Sequence, residues 1–131
     1  SEAALRTAVL GARAIGYSTG PSGVAIVKLI ERWGIAEAIR ERLVQAPSGV
    51  PVGRLLAEGR IDLGFQQLSE LLNLPAIEVL GPMPPGAEIV TVFSAAICKA
   101  SSLPDTARAF LAFLASAEAA EAKRRHGMEP A

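Results

Sequence analysis

Apolar positions change period several times along the chain, and each change marks an element. Ala4, Leu5, Ala8 and Val9 form a helical stripe ended by Gly11. Residues 12–18 then read as a buried strand that runs into Thr19-Gly20-Pro21-Ser22-Gly23, a turn cluster. From Val24 the period is helical: Ile26, Leu29, Ile30 and Trp33 fall at i, i+3, i+4 and i+7, and Gly34 stops the run. Residues 36–43 predict a shorter helix and residues 44–46 a short strand. Pro47-Ser48-Gly49 forms a second loop ahead of a helical face at Val52, Leu55 and Leu56. Ile61, Leu63 and Phe65 alternate with Asp62 and Gly64, as in a strand. A helical turn is predicted over 69–72 and strands over 77–80 and 89–98. The last of these is apolar and β-branched, and the stiff loop Gly81-Pro82-Met83-Pro84-Pro85-Gly86 separates the two. Ser101 or Ser102 caps a helix with Pro104 in its first turn and a buried face at Ala107, Phe110, Leu111 and Leu114. Ser116 caps a final helix ending at Gly127.

Strands and helices alternate through the first two thirds of the chain. This predicts an α/β fold: a mixed, mostly parallel sheet flanked by helices in three layers. The length is about one domain's worth of chain.

Composition narrows the function classes. The chain has 131 residues, half of them hydrophobic, which excludes a disordered chain. Thirteen basic residues balance thirteen acidic ones, so nucleic acid is not expected as a partner. No apolar run reaches the length of a membrane helix. Cys98 is the single cysteine, so no intrachain disulfide forms. The opening residues show neither the basic nor the long apolar region of a signal peptide.

Candidate chemistry lies in three loops. A glycine-rich turn entering a helix presents free N–H groups and the positive end of the helix dipole, which suits an anion. Thr19–Gly23 has that form, with the Ser22 hydroxyl added; it is neither a P-loop nor GxGxxG. The same turn also serves as an ordinary β–α connection. Pro47-Ser48-Gly49 repeats the device, and two such loops at one sheet edge aim two helix N-termini at one place. Gln66 and Gln67 follow the third strand, with amide donors and acceptors; strand alternation turns one of them inward. Catalysis is not expected. The single histidine, His126, follows Lys123, Arg124 and Arg125 at a helix C-terminus, where cations suit the dipole. Cys98 reads as buried and inert. No zinc spacing or Ser-His-acid set is present, so neither a cofactor nor a metal is expected.

Three segments together carry a resemblance over nearly the whole chain. ALRTAVLGARAIGYSTGPSGVAIVKLIERWGI resembles the start of the second lobe of type II periplasmic solute-binding proteins, in particular the molybdate-binding family. RLLAEGRIDLGFQQLSELL resembles that family's helix, turn, strand and Ser-Glu segment. AICKASSLPDTARAFLAFLASAEAAEAKRRHGMEP resembles its closing helices. The resemblance implies a non-enzymatic protein that closes two lobes on a tetrahedral oxyanion and delivers it to an ABC-transporter membrane subunit in the periplasm. Loop contacts carry over to Ser22 and Gly23, and near Val50. The candidate ligand-binding set is therefore Ser22, Gly23, Ser48, Gly49, Val50 and Gln67. Gln67 stands where well-known molybdate binders have a tyrosine, which opens the site to an organic ligand. The resemblance also implies two domains: residues 1–87, a ligand-binding domain like the second lobe, which the chain enters at the crossover, and residues 88–131, a strand plus two helices that return to the first lobe. A truncated relative or a fragment is thus expected, with the apolar face of residues 107–114 covered by the same domain or by a second copy in a homo-oligomer. The alternative function is a cytoplasmic small-molecule sensory domain of the same fold within a regulator.

Overall fold

The computed structural model describes residues 1–130, and the chain divides into two compact units, Ser1–Thr91 and a second that begins at Val92. The first unit runs α1 (Glu2–Gly11), β1 (Ile15–Tyr17), α2 (Pro21–Arg32), α3 (Ala36–Ile39), a 3-10 turn (Arg40–Arg42), β2 (Leu43–Gln45), α4 (Val52–Ala57), β3 (Leu63–Phe65) and α5 (Leu68–Leu71). The second contains α6 (Pro104–Ala115) and α7 (Ala117–Arg125).

The three strands are parallel in the order β2-β1-β3. Ile15 stands level with Leu43 and Leu63, and Tyr17 with Gln45 and Phe65. Side chains alternate between faces along a strand, so the sheet has two different coats. On one face Ile15 meets Ile26, Leu29, Ile30, Ile35 and Ile39 from α2, α3 and their linker, joined by Val9 of α1. On the other face Val44 and Ala14 pack with Val52 and Leu55 of α4 and with Ile61. Gly16 and Gly64 sit beneath α4, where an added Cβ would overlap Ile61 and Val52, or Val52 and Leu56. The absence of side chains there lets α4 lie close to the sheet. Helices thus cover both faces, giving the three-layer α/β lobe expected from the sequence.

Several elements differ from expectation. The α2 helix starts at Pro21 rather than Val24, because Gly20 takes the extended N-cap conformation and Pro21 occupies a first-turn position that needs no N–H donor. The β1 strand is three residues long instead of seven. Neither 77–80 nor 89–98 is a strand, and the sheet is wholly parallel. The 89–98 run has the propensity of a strand, but propensity alone does not order one without a neighbour to complete its hydrogen bonds. Val90, Val92 and Phe93 stay exposed, and Cys98 is exposed as well, not buried.

In the second unit α6 and α7 form a hairpin about Ser116, whose hydroxyl donates to the Phe113 carbonyl at 2.7 Å. Ala107, Leu111 and Leu114 are half-buried, whereas Phe110 is exposed and not part of a buried face. The α7 helix closes on Gly127, at φ +73°, with Met128 N–H donating to the Lys123 carbonyl. This is the glycine-dependent stop expected at that residue.

Candidate functional site

Parallel pairing in register brings the carboxyl ends of all three strands to one edge of the sheet, and the loops that follow them meet there. The order β2-β1-β3 places β1 where the chain reverses direction across the sheet, the position at which open α/β sheets form a crevice. A cleft of about 310 Å³ opens at that edge. Its wall comprises Ser18, Thr19 and Gly20 from the β1–α2 loop, Pro47, Gly49, Val50 and Pro51 from the β2–α4 loop, and Gln66, Gln67 and Glu70 after β3.

Each loop has a local reason for its shape. The β1–α2 loop folds back on its own helix: Ser18 and Ser22 hydroxyls lie 3.1 Å apart, and a Cβ on Gly23 would overlap the Ser18 carbonyl. Ser22 is buried behind Ser18. Its hydroxyl therefore acts on the cleft through Ser18. Gly23 is required by backbone contact, and it lines a separate shallow recess with Tyr17, Val24 and Lys28.

The β2–α4 loop is a tight turn. Val50 N–H donates to the Pro47 carbonyl at 2.9 Å, and Gly49 adopts φ +77°, which glycine tolerates best. The Val50 amide is thereby committed to the turn, so Val50 lines the cleft without the free backbone donor expected of it. Ser48 sits exposed at the turn's tip, outside the cleft wall.

The third loop carries the glutamine pair. Gln66 Oε1 accepts the Val52 N–H at 2.7 Å, satisfying the first amide of α4. That bond fixes its amide so that Nε2, a donor, is left over. Gln67 stands at the N-cap position of α5, its side chain making no capping bond, and lines the cleft beside Gln66.

The structure thus brings together Gly49, Val50 and Gln67 directly and Ser22 indirectly, while Gly23 and Ser48 fall outside. The candidate set leaves out Ser18, Thr19, Gly20, Pro47, Pro51, Gln66 and Glu70, which also line the cleft. Thr19 and Gly20 belonged to the turn cluster already singled out, and Gln66 to the glutamine pair. Ser18 falls at the end of the expected strand and Glu70 in the Ser-Glu segment of the resemblance, and neither pattern marks a cleft residue. The wall is rich in neutral donors, holds one carboxylate, and carries no Lys or Arg. Among the described residues no group of His, Cys, Asp or Glu has the arrangement of a metal site.

The opposite, amino-terminal edge of the sheet is closed. Asp62 accepts the backbone N–H groups of Arg13 at 3.0 Å and Ala14 at 2.8 Å, with the Arg13 guanidinium at 3.3 Å. These bonds, the Ala14 amide foremost, lower its pKa from 3.8 to about 2. A second cluster holds the 81–86 loop: Glu2 accepts from Trp33 Nε1 at 2.7 Å and from Arg32, which also donates to the Gly86 carbonyl.

A parallel α/β lobe with a donor-lined cleft at its strand ends has the form of a solute-binding domain. The chain belongs to the bacterial extracellular solute-binding protein family, which it matches over residues 1–129. That family groups it with extracytoplasmic proteins, and among the described residues no helix is long and apolar enough to cross a membrane. It is similar to an aconitate isomerase from a Pseudomonas species, 37% identical over 120 residues; these cover 91% of this chain and 45% of that protein. The chain therefore spans under half the length of this curated relative. No solved structure matches it significantly. The relative's name corrects one expectation. A non-enzymatic role was inferred from the lack of a catalytic set in the loops, yet this relative is an enzyme. The loops hold no histidine, cysteine or paired carboxylates close in sequence, and the cleft's ionisable group, Glu70, stands apart from any such motif.

Proposed function

We propose that this cleft binds a small organic polyacid of the aconitate type, and that the protein acts on such an acid as an isomerase. The observation that carries this reading is the coincidence of two facts. A relative matched over nine tenths of this chain is named for its action on aconitate, a tricarboxylate. The segment shared with it forms a cleft whose loops present hydroxyls, amides and a helix N-terminus. Such groups hold carboxylates by directional hydrogen bonds. Ser18, Thr19, Gln66 and Gln67 supply the side-chain donors, and Gly20 and Gly49 leave the backbone open to the ligand. Members of this family carry solutes outside the cytoplasm, so the periplasm is the proposed site of action. Delivery to an ABC-transporter membrane subunit is the corresponding transport role.

A tetrahedral oxyanion such as molybdate is the competing ligand, and one titration separates the two. Thermal unfolding of the chain is followed with added aconitate, citrate, molybdate, tungstate or sulfate at matched ionic strength. A saturable rise with aconitate is expected, because a ligand that binds only the native state stabilises it. A rise with molybdate and tungstate alone assigns the cleft to oxyanions and overturns the proposal. Interconversion of aconitate isomers, followed chromatographically with the purified protein, tests the enzymatic half.

A further inference from the structure

Among the described residues Glu70 is the one ionisable group in the cleft wall, and its position conflicts with a fully ionised anionic ligand. It is exposed, at the third residue of α5, and belongs to none of the six ion pairs among the described residues. The elements around it offer no compensating charge. The α4 helix packs against α5 and carries Arg54, but that guanidinium is held by Glu58 at 2.7 Å. The β2–α4 turn and the Gln66-Gln67 linker bring only uncharged groups to the cleft. A fully ionised polyacid docking here would set carboxylate against carboxylate with no cation from this wall to offset them. Two carboxylates sharing one site avoid that repulsion by holding a proton between them.

We propose that Glu70 selects the protonation state of the bound acid: the ligand docks with one carboxyl group protonated, and its O–H donates to the Glu70 carboxylate. The one bond that forms is that O–H, made with a proton from solvent. One proton is taken from solvent for each polyacid bound above the ligand's last ionisation, and it returns to solvent on release. Glu70 is then a specificity residue, favouring acids that accept a proton easily over permanently charged anions. This rests on the organic-acid reading of the cleft, and the test keeps the two apart.

Aconitate is titrated calorimetrically into the wild-type chain and into Glu70→Gln and Glu70→Asp, at steps from pH 5 to pH 8, with the proton count taken at pH 8 in two buffers of different ionisation enthalpy. Wild type should take up about one proton per ligand, and its affinity should fall about tenfold per pH unit above the ligand's last ionisation. Glu70→Asp keeps the carboxylate and should keep the uptake. Glu70→Gln should lose the uptake and bind aconitate about tenfold more tightly at pH 8, with the difference vanishing towards pH 5. If aconitate binds with equal affinity and equal proton count in wild type and Glu70→Gln, Glu70 does not meet the ligand and the proposal falls alone. If wild type binds no organic acid, the reading of the cleft falls and takes the proposal with it.

Discussion

The two edges of one small sheet use a carboxylate in opposite ways. At the amino-terminal edge Asp62 spends both oxygens on backbone amides and on Arg13, tying the approach to β1 to the start of β3. At the carboxyl-terminal edge Glu70 forms no ion pair and lies in the cleft wall among hydroxyls and amides. A polar group whose partners lie within its own chain stabilises the fold. A group left without one, in a concave site, is available to a ligand. The same contrast holds within the cleft: Val50's amide is consumed by its turn, whereas Gln66 uses its carbonyl on α4 and keeps its amide donor.

Substitutions that erase the contrast should act in a definite order. The largest effect is expected from Gly23→Ala. The new methyl would overlap the Ser18 carbonyl, so the β1–α2 loop must move. A loss of about 2–4 kcal/mol is expected in urea unfolding, with loss of ligand binding, since Ser18 to Gly20 form one cleft wall. Asp62→Ala should follow, at about 1–2 kcal/mol, because two backbone N–H groups lose a charged acceptor. It should leave binding at the other edge intact.

Asp62 also gives stability a sign in pH. Its folded pKa, about 2, lies below the ordinary 3.8. Its contribution is therefore complete above about pH 4 and is lost as pH falls towards 2. Glu2 and Glu58 are lowered too, by Trp33 and Arg54 respectively, and act in the same direction. Urea midpoints at pH 5 and pH 2.5 should drop further apart in wild type than in Asp62→Asn. Equal drops would assign the acid loss to the other carboxylates.

Gln66→Ala ranks next, at about 1 kcal/mol, the scale of losing an N-terminal cap, with weakened ligand binding besides. Ser48→Ala should be the smallest, within about 0.5 kcal/mol and without effect on binding, because Ser48 is exposed at the turn's tip.

The order of elements as far as residue 72 was legible because helix and strand differ in period and because glycine and proline mark the turns; residues 77–80, read as a strand, are not one. Ile26, Leu29 and Ile30 occupy the core that their spacing implies. The convergence of three loops on one edge also followed from alternation and parallel pairing. Residues 89–98 were misread, since composition reports what a strand prefers and not whether a neighbour is present to pair with it. The site was read in part for a related reason. Glycine-rich turns announce themselves, but whether a turn's amide is free depends on its own hydrogen bonds, as at Val50. Glu70 reaches the cleft because α5 follows β3 directly, a matter of tertiary placement that a four-residue helix does not signal in its sequence.

Isotope-edited NMR of the chain during an aconitate titration tests the account's central claim most directly, because it reads both edges at once. Saturable shifts should appear at the amides of Ser18 to Gly20 and Gly49 and at the side-chain amides of Gln66 and Gln67, while Arg13, Ala14 and Asp62 stay unmoved. Shifts confined to the Asp62 edge, or no saturable shifts with any organic acid, would contradict it.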